Sequence, residues 1–123
     1  LGGRWDMSLA NIFLLAFPHL QEEPNFSANM VIIEPSQEIT LITAFSPLEI
    51  SGEPNDIVSL LPFSYIVEGV LTDNLLYPLM HETLKLGSTR GISNVMLSDH
   101  ASVQVKRGLL LCIHTLQSKD RTP

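Results

Sequence analysis

The sequence predicts a mainly β protein, an antiparallel β-sandwich preceded by one short helix. Three observations favour this fold class: short β-branched runs follow one another after residue 29, turn signals separate them, and no helical pattern interrupts them. Runs spaced by roughly 8–12 residues are typical of antiparallel sandwiches and barrels. The chain has 123 residues, of which 45% are apolar and 16% are charged, so it is long enough to bury a core and is not disordered throughout.

A short helix is predicted over 6–17. Apolar residues recur there at helical spacing: Leu9, Ile12, Phe13 and Ala16. Pro18 ends the pattern, because proline removes a backbone donor and blocks helix propagation. The apolar face is wide, so we expect this helix to be covered on more than one side.

Strands are predicted from residue 30 onwards. The polar, turn-rich segment 19–29 is the best candidate for a domain boundary. Two β-branched runs at 30–34 and 38–43 are separated by Pro35, Ser36 and Gln37, which predicts a hairpin. Five further strands are predicted at 56–61, 65–71, 83–86, 101–106 and 109–114. Polar and apolar residues alternate through the strand predicted at 101–106, so one of its faces should be exposed to solvent.

Charge and length exclude several classes of function. The net charge of −6 and the pI near 5.0 have the wrong sign for binding nucleic acid or an anionic membrane surface. The longest apolar runs, at 12–17 and 109–113, fall short of the roughly 20 residues that cross a bilayer. One cysteine cannot form an internal disulfide, and no secretory signal pattern is seen, so we expect a cytoplasmic protein.

The histidines and the cysteine give little support for a metal site. His19, His81, His100 and His114 share no metal-ligand spacing, which favours ordinary surface or core histidines. Cys112 lies in an apolar run and is predicted to be a small buried residue rather than a reactive thiol.

Two segments carry groups that could bind a ligand. The first places Gly2, Gly3, Arg4 and Asp6 directly before the predicted helix, where backbone N–H groups can receive an anion and a carboxylate can hold a divalent cation. A turn capped by Asp6 explains the same pattern, and the residues alone favour that simpler interpretation.

The second segment, 84–94, runs from a strand into a polar loop that contains Ser88, Thr89, Ser93 and Asn94. Hydroxyl and amide groups gathered at a sandwich edge suit a neutral, ring-shaped ligand that hydrogen bonds must orient. They also suit an ordinary turn, and the residues alone favour the turn.

Four segments taken together resemble the thiamin pyrophosphokinases of the bacterial type. In chain order they are Gly-Gly-Arg-Trp-Asp at 2–6, Gly-Glu-Pro-Asn-Asp-Ile-Val-Ser-Leu-Leu-Pro at 52–62, Tyr-Pro-Leu at 77–79, and the segment 82–94 that ends in Gly-Ile-Ser-Asn. The resemblance implies an enzyme that transfers pyrophosphate from ATP to thiamine with Mg²⁺ and works as a homodimer. It also implies an N-terminal α/β nucleotide-binding domain followed by a thiamine-binding sandwich, with most of the nucleotide-binding half absent from this sequence.

The resemblance further implies a domain map. Residues 1–28 would be the C-terminal remnant of the nucleotide-binding domain, 29–118 the thiamine-binding sandwich, and 119–123 a tail. The chain as given is expected to lack turnover, and a non-catalytic thiamine-binding module or a dimerisation domain stays open as an alternative.

Site residues follow from the same resemblance. Asp6 would be the catalytic carboxylate and magnesium ligand, with Arg4 and Gly3 on the ATP phosphate side. Many bacterial members have His where this chain has Met7, so no role can be assigned to that position. In the thiamine pocket the implied residues are Ser93 and Asn94, with Ser88 and Thr89 as weaker candidates.

Overall fold

A computed structural model describes residues 30–34 and 36–116 of the chain. For residues 30–34 the description is of the backbone, and from residue 36 onwards it includes the side chains. These residues form nine strands and no helix. The strands are β1 (Met30–Glu34), β2 (Gln37–Ile42), β3 (Leu48–Ser51), β4 (Ile57–Pro62), β5 (Ile66–Asp73), β6 (Met80–Lys85), β7 (Asn94–Val95), β8 (His100–Gln104) and β9 (Leu110–Thr115). The predicted helix, the proposed boundary at residue 28 and the tail 119–123 lie outside the described residues.

The strands form two antiparallel sheets. One sheet has five strands in the order β1-β2-β9-β4-β7, and the other has four in the order β3-β8-β5-β6. The predicted fold class, a mainly β antiparallel sandwich, is confirmed. Within the residues described, no helix has the length and apolar character needed to cross a membrane.

All seven predicted strands are present, and two further strands among the described residues were not predicted. The hairpin of β1 and β2 is confirmed, with Met30 opposite Thr40 and Val31 opposite Ile39. The unpredicted strands are β3, which pairs with β8, and β7, which has two residues and pairs with β4. Strands this short carry too few residues for a period-2 pattern, and their pairing partners are distant in the chain.

The main core lies between the two sheets. Its buried residues from the five-stranded sheet are Ile42, Val58, Leu60, Leu110 and Cys112. Those from the four-stranded sheet are Ile50, Val67, Val70, Leu84, Ala101 and Val103. Removing these side chains from water is the main stabilising contribution to the fold. Cys112 is free and buried, as predicted, and the predicted alternation in β8 is confirmed by buried Val103 beside exposed Gln104.

A second apolar cluster lies on the opposite face of the five-stranded sheet. Ile39, Leu41 and Leu111 are buried there. They alternate along β2 and β9 with Ile42 and Cys112 of the main core, and successive side chains on a strand point to opposite faces. Leu61, Phe63, Leu109 and Ile113 pack against the cluster and are partly buried. This sheet is therefore apolar on both faces, which accounts for part of the low charged fraction of the sequence.

Candidate functional site

The polar segment predicted as a ligand-binding loop connects β6 to β7, and residues 86–93 are called the Ser93 loop below. Its first half is a series of local turns. The Ser88 amide donates to the Lys85 carbonyl at 2.8 Å, the Ser88 hydroxyl accepts from the Arg90 amide at 3.2 Å, and the Ile92 amide donates to the Thr89 carbonyl at 3.1 Å. The turn expected at Ser88 and Thr89 is thus present, and the Thr89 side chain is exposed.

The second half of the loop is fixed to β4. The Leu60 amide donates to the Gly91 carbonyl at 2.9 Å, and the Ser93 amide donates to the Ser59 hydroxyl at 3.0 Å. A Cβ atom at Gly91 would lie only 2.9 Å from the Leu60 carbonyl oxygen, so this close approach requires glycine. Ser93 has a φ of 60°, in the left-handed region that few non-glycine residues adopt. The two bonds to β4 hold this conformation and leave the Ser93 side chain exposed.

Asn94 joins the end of the loop to Tyr77. Its side chain is buried, with 2% of the residue exposed. Its Oδ1 accepts from the amides of Tyr77 at 2.9 Å and Val95 at 3.0 Å, and its Nδ2 donates to the Tyr77 carbonyl at 2.7 Å. The amide group satisfies both backbone groups of Tyr77, so Asn94 sets the position of a residue 17 positions earlier.

The surface beside the loop is both aromatic and polar. Tyr77 is 56% exposed, and Met80 and Ile92 are also exposed large apolar residues. Arg90 and Glu82 form a two-point ion pair, with Nε to Oε1 and Nη2 to Oε2 both at 3.1 Å. Aromatic and apolar groups can pack on a ring, while hydroxyls and a planar guanidinium hydrogen-bond its polar edges. Side chains of these types are the ones that bind small heteroaromatic ligands.

A buried polar pair lies elsewhere in the five-stranded sheet. His114 Nε2 is 2.8 Å from Asp56 Oδ2, and the side chains are 5% and 1% exposed. The Glu53 amide donates to the same Asp56 oxygen at 3.1 Å. A Cβ atom at Gly52 would lie 2.6 Å from Asp56 Oδ2, so glycine makes room for the pair. Nothing in the spacing of the histidines indicated this contact, which joins residues 58 positions apart.

His114 of the buried pair and Asn94, which follows the Ser93 loop, lie on one row of the five-stranded sheet. Val58 of β4 lies opposite His114 of β9 on one side and opposite Asn94 of β7 on the other. On the far side of β9, His114 lies opposite Glu38 of β2. The side chains of one such row share a face of the sheet, and because Val58 belongs to the main core, this row faces the space between the sheets.

The structure brings together one of the two predicted groups of site residues. Ser88, Thr89, Ser93 and Asn94 lie in or next to one loop, where Ser59 and Tyr77 are additional neighbours. Gly3, Arg4, Asp6 and Met7 lie outside the described residues. Within 36–116, no group of three or more His, Cys, Asp or Glu side chains is arranged to hold a metal ion.

Comparisons with known proteins bear on this site. Residues 47–110, just over half of the chain, match the family model of the thiamin pyrophosphokinase vitamin B1 binding domain. No curated protein matches the chain. The matched segment contains the whole Ser93 loop together with Tyr77 and Asn94.

Solved structures share the fold. The crystal structure of thiamine pyrophosphokinase from Bacillus subtilis superposes with a TM-score of 0.76 at 24% identity, over 96% of this chain and 53% of that one. The enzyme from Geobacillus thermodenitrificans gives 0.73 at 20% identity, over 97% and 52%. Thiamin pyrophosphokinase from Candida albicans gives 0.68 at 17% identity, over 94% and 42%. The chain thus spans about half the length of the two bacterial structures.

The family expected from the four sequence segments is confirmed. The chain belongs to the thiamin pyrophosphokinase family, of which it carries the vitamin B1 binding domain.

Proposed function

We propose that this chain is the thiamine-binding portion of a thiamin pyrophosphokinase and that thiamine binds at the Ser93 loop. The observation that carries the proposal is the match of residues 47–110 to the family's vitamin B1 binding domain, because this segment includes the loop and its neighbours. The likeness to solved thiamin pyrophosphokinases over nearly the whole chain supports it.

The chemistry of the loop fits thiamine, which has two heteroaromatic rings and a hydroxyethyl group. The exposed Tyr77 ring offers a face on which a heteroaromatic ring packs. The exposed Ser93 hydroxyl both donates and accepts hydrogen bonds, as the polar edge of a pyrimidine requires. Asn94 acts mainly by positioning Tyr77 and Ser93, since both polar atoms of its amide already bond to the backbone. Ser88 and Thr89 are secondary contacts at the start of the loop.

For the whole enzyme, we propose transfer of pyrophosphate from ATP to the hydroxyethyl oxygen of thiamine. The thiamine oxygen forms a bond to the β-phosphorus of ATP, the bond from that phosphorus to the α-β bridging oxygen breaks, and AMP leaves with that oxygen. The hydroxyl proton of thiamine passes to a base. Asp6 would hold Mg²⁺, which neutralises phosphate charge, and Arg4 and the Gly3 backbone would bind phosphate oxygens.

Three further properties belong to the proposal. The enzyme would act as a homodimer in the cytoplasm, and the 123-residue chain would bind thiamine without turning it over. The chain spans about half of the length of the two bacterial thiamin pyrophosphokinase structures. Absence of thiamine diphosphate and AMP after incubation with ATP, Mg²⁺ and thiamine is the expected result, and formation of both products would overturn this part.

Calorimetric titration of the 123-residue chain with thiamine tests the binding site. Saturable binding is expected, and Ser93→Ala should weaken it by about tenfold, the size of one lost hydrogen bond to a polar ligand. Ser102→Ala is the matched control, since Ser102 lies on β8 in the other sheet and should leave affinity unchanged. Equal affinities of Ser93→Ala and the unmodified chain would contradict the assignment. Absence of any thiamine binding would leave the dimerisation domain as the better interpretation.

A further inference from the structure

A cavity lies between the two sheets, beside β3. Its volume is about 250 Å³, and its walls come from β2 and β9 on one side and from β3 on the other. No residue of the Ser93 loop is among the described residues that line it. Typical pockets for drug-sized ligands occupy roughly 300–1,000 Å³, so this cavity, called the His114 cavity below, suits a smaller molecule.

The charged groups of the cavity are negative. Glu38 and Glu49 line it, and no lysine or arginine is among its described lining residues. Burial and, secondarily, the charge of Glu38 raise the pKa of the nearby Cys112 thiol to about 12. The negative charge of these two carboxylates favours a cation in the cavity.

His114 brings an unpartnered nitrogen to the cavity wall. Its Nε2 is hydrogen-bonded to Asp56 Oδ2. The other ring nitrogen, Nδ1, does not take part in that bond. That Nδ1 is buried and has no hydrogen-bond partner among the described residues. It lies 3.4 Å from Glu38 Oε1, within ion-pair range but without hydrogen-bond geometry. A buried polar atom without a hydrogen bond is uncommon, because it has lost its bond to water.

A ligand N–H group would satisfy this arrangement. In the tautomer that donates its Nε2 proton to Asp56, His114 presents a lone pair at Nδ1, facing the Glu38 carboxylate, which is also an acceptor. An ammonium group carries three donors and could bond to both acceptors at once. The Thr40 hydroxyl lines the same cavity and could take the third donor.

The rest of the lining is apolar. Leu48 and Ile50 of β3 form one wall and Cys112 of β9 faces them. Ile50 and Cys112 belong to the main core, and Leu48 packs against it. A ligand that places its charge at Glu38 would therefore rest a short hydrocarbon chain on these side chains.

We propose that the His114 cavity is a second ligand site that binds a small organic cation: a primary ammonium with a short apolar chain, held by Glu38 and His114 at its head and by Leu48 and Ile50 along its chain. The site is separate from the proposed thiamine site.

The test is an NMR titration of the full 123-residue chain with hexylammonium chloride, with 1-hexanol as the neutral probe of equal chain length. Saturable shifts of the Thr40, Leu48 and His114 signals are expected with the ammonium, including the His114 Nδ1 resonance. Hexanol should bind at least about tenfold more weakly, since it lacks the charge-assisted hydrogen bonds. Equal binding of the two probes, or shifts confined to the Ser93 loop, would overturn the proposal.

Two variants distinguish an effect of the Glu38 carboxylate on ligand binding from an effect of the net charge of the protein. Glu38→Gln should weaken hexylammonium binding by about tenfold. Glu68→Gln removes the same charge from an exposed ion pair with Arg107 in the other sheet and should have no effect. Equal loss in both variants would contradict the proposal.

Should Glu38→Gln fail to fold, Glu49→Gln takes its place, and undiminished binding by that variant would count against the site. Ser93→Ala must leave hexylammonium affinity unchanged, which distinguishes failure here from failure of the thiamine assignment.

Discussion

Asp56 Oδ2 lies 2.8 Å from His114 Nε2, so one buried hydrogen bond joins the turn before β4 to the end of β9. Both residues are almost fully withdrawn from water. The bond joins residues 58 positions apart in the sequence. It fixes β4 and β9 relative to each other next to the position where Val58 lies opposite His114.

Removing one partner of this bond should destabilise the fold strongly. Asp56→Ala leaves the His114 ring buried beside an empty space, and we expect a loss of about 2–4 kcal/mol in the free energy of unfolding. Urea denaturation followed by circular dichroism measures it. Asp73→Ala, at the exposed end of β5, should change stability by no more than about 0.5 kcal/mol. Similar values for the two variants would show that the buried bond contributes nothing.

Asn94→Asp tests the hydrogen bonds by which the Asn94 side chain positions Tyr77 beside the Ser93 loop. The carboxylate keeps an acceptor for the Tyr77 amide but loses the donor to the Tyr77 carbonyl, at a site with 2% exposure. We expect a stability loss of about 2–4 kcal/mol and weaker thiamine binding. Asn55→Asp, exposed on a turn, is the control and should change neither quantity. A variant of wild-type stability would refute the role given to Asn94.

Gly91→Ala should detach the Ser93 loop from β4. The new methyl group would lie 2.9 Å from the Leu60 carbonyl oxygen and 3.0 Å from its Cβ. We expect a loss of about 1–3 kcal/mol and faster hydrogen exchange of the Leu60 amide, which donates to Gly91. At Gly87 an added Cβ meets nothing within 4 Å, although its φ of +90° disfavours alanine. Gly87→Ala should therefore leave Leu60 exchange unchanged, and faster exchange in both variants would argue against a specific contact.

Cys112 should make stability depend on alkaline pH. Burial raises its pKa from 9.0 to about 12, so the folded thiol stays neutral while the unfolded thiol ionises. Its contribution to stability is fully present below pH 9 and is lost as the pH rises through 12, with a slope approaching about 1.4 kcal/mol per pH unit. Comparison of urea denaturation with Cys112→Ala between pH 8 and pH 11 isolates this slope. Parallel pH profiles of the two proteins would rule out the shift.

The sequence predicted the longer strands well because their period-2 pattern is a local property. It missed β3 and β7, which exist through pairing with β8 and β4 rather than through their own residues. At the site, the polar character of residues 88–94 was visible in the sequence. The bonds from Asn94 to Tyr77 and from Ser93 to Ser59 were not, since they join residues 17 and 34 positions apart. Contacts of this kind depend on register, which a single sequence does not specify.

The position of β9 has a consequence for synthesis of the protein on the ribosome. β9 is the last described strand in the chain, yet it is the middle strand of its sheet, between β2 and β4. Until residue 115 has been made, β1 with β2 and β4 with β7 remain two separate pairs whose facing edges lack partners. Open strand edges and uncovered apolar faces promote association between chains. Premature termination before β9 should therefore produce an aggregating species rather than a smaller folded domain, and a late stop codon should be as harmful as an early one.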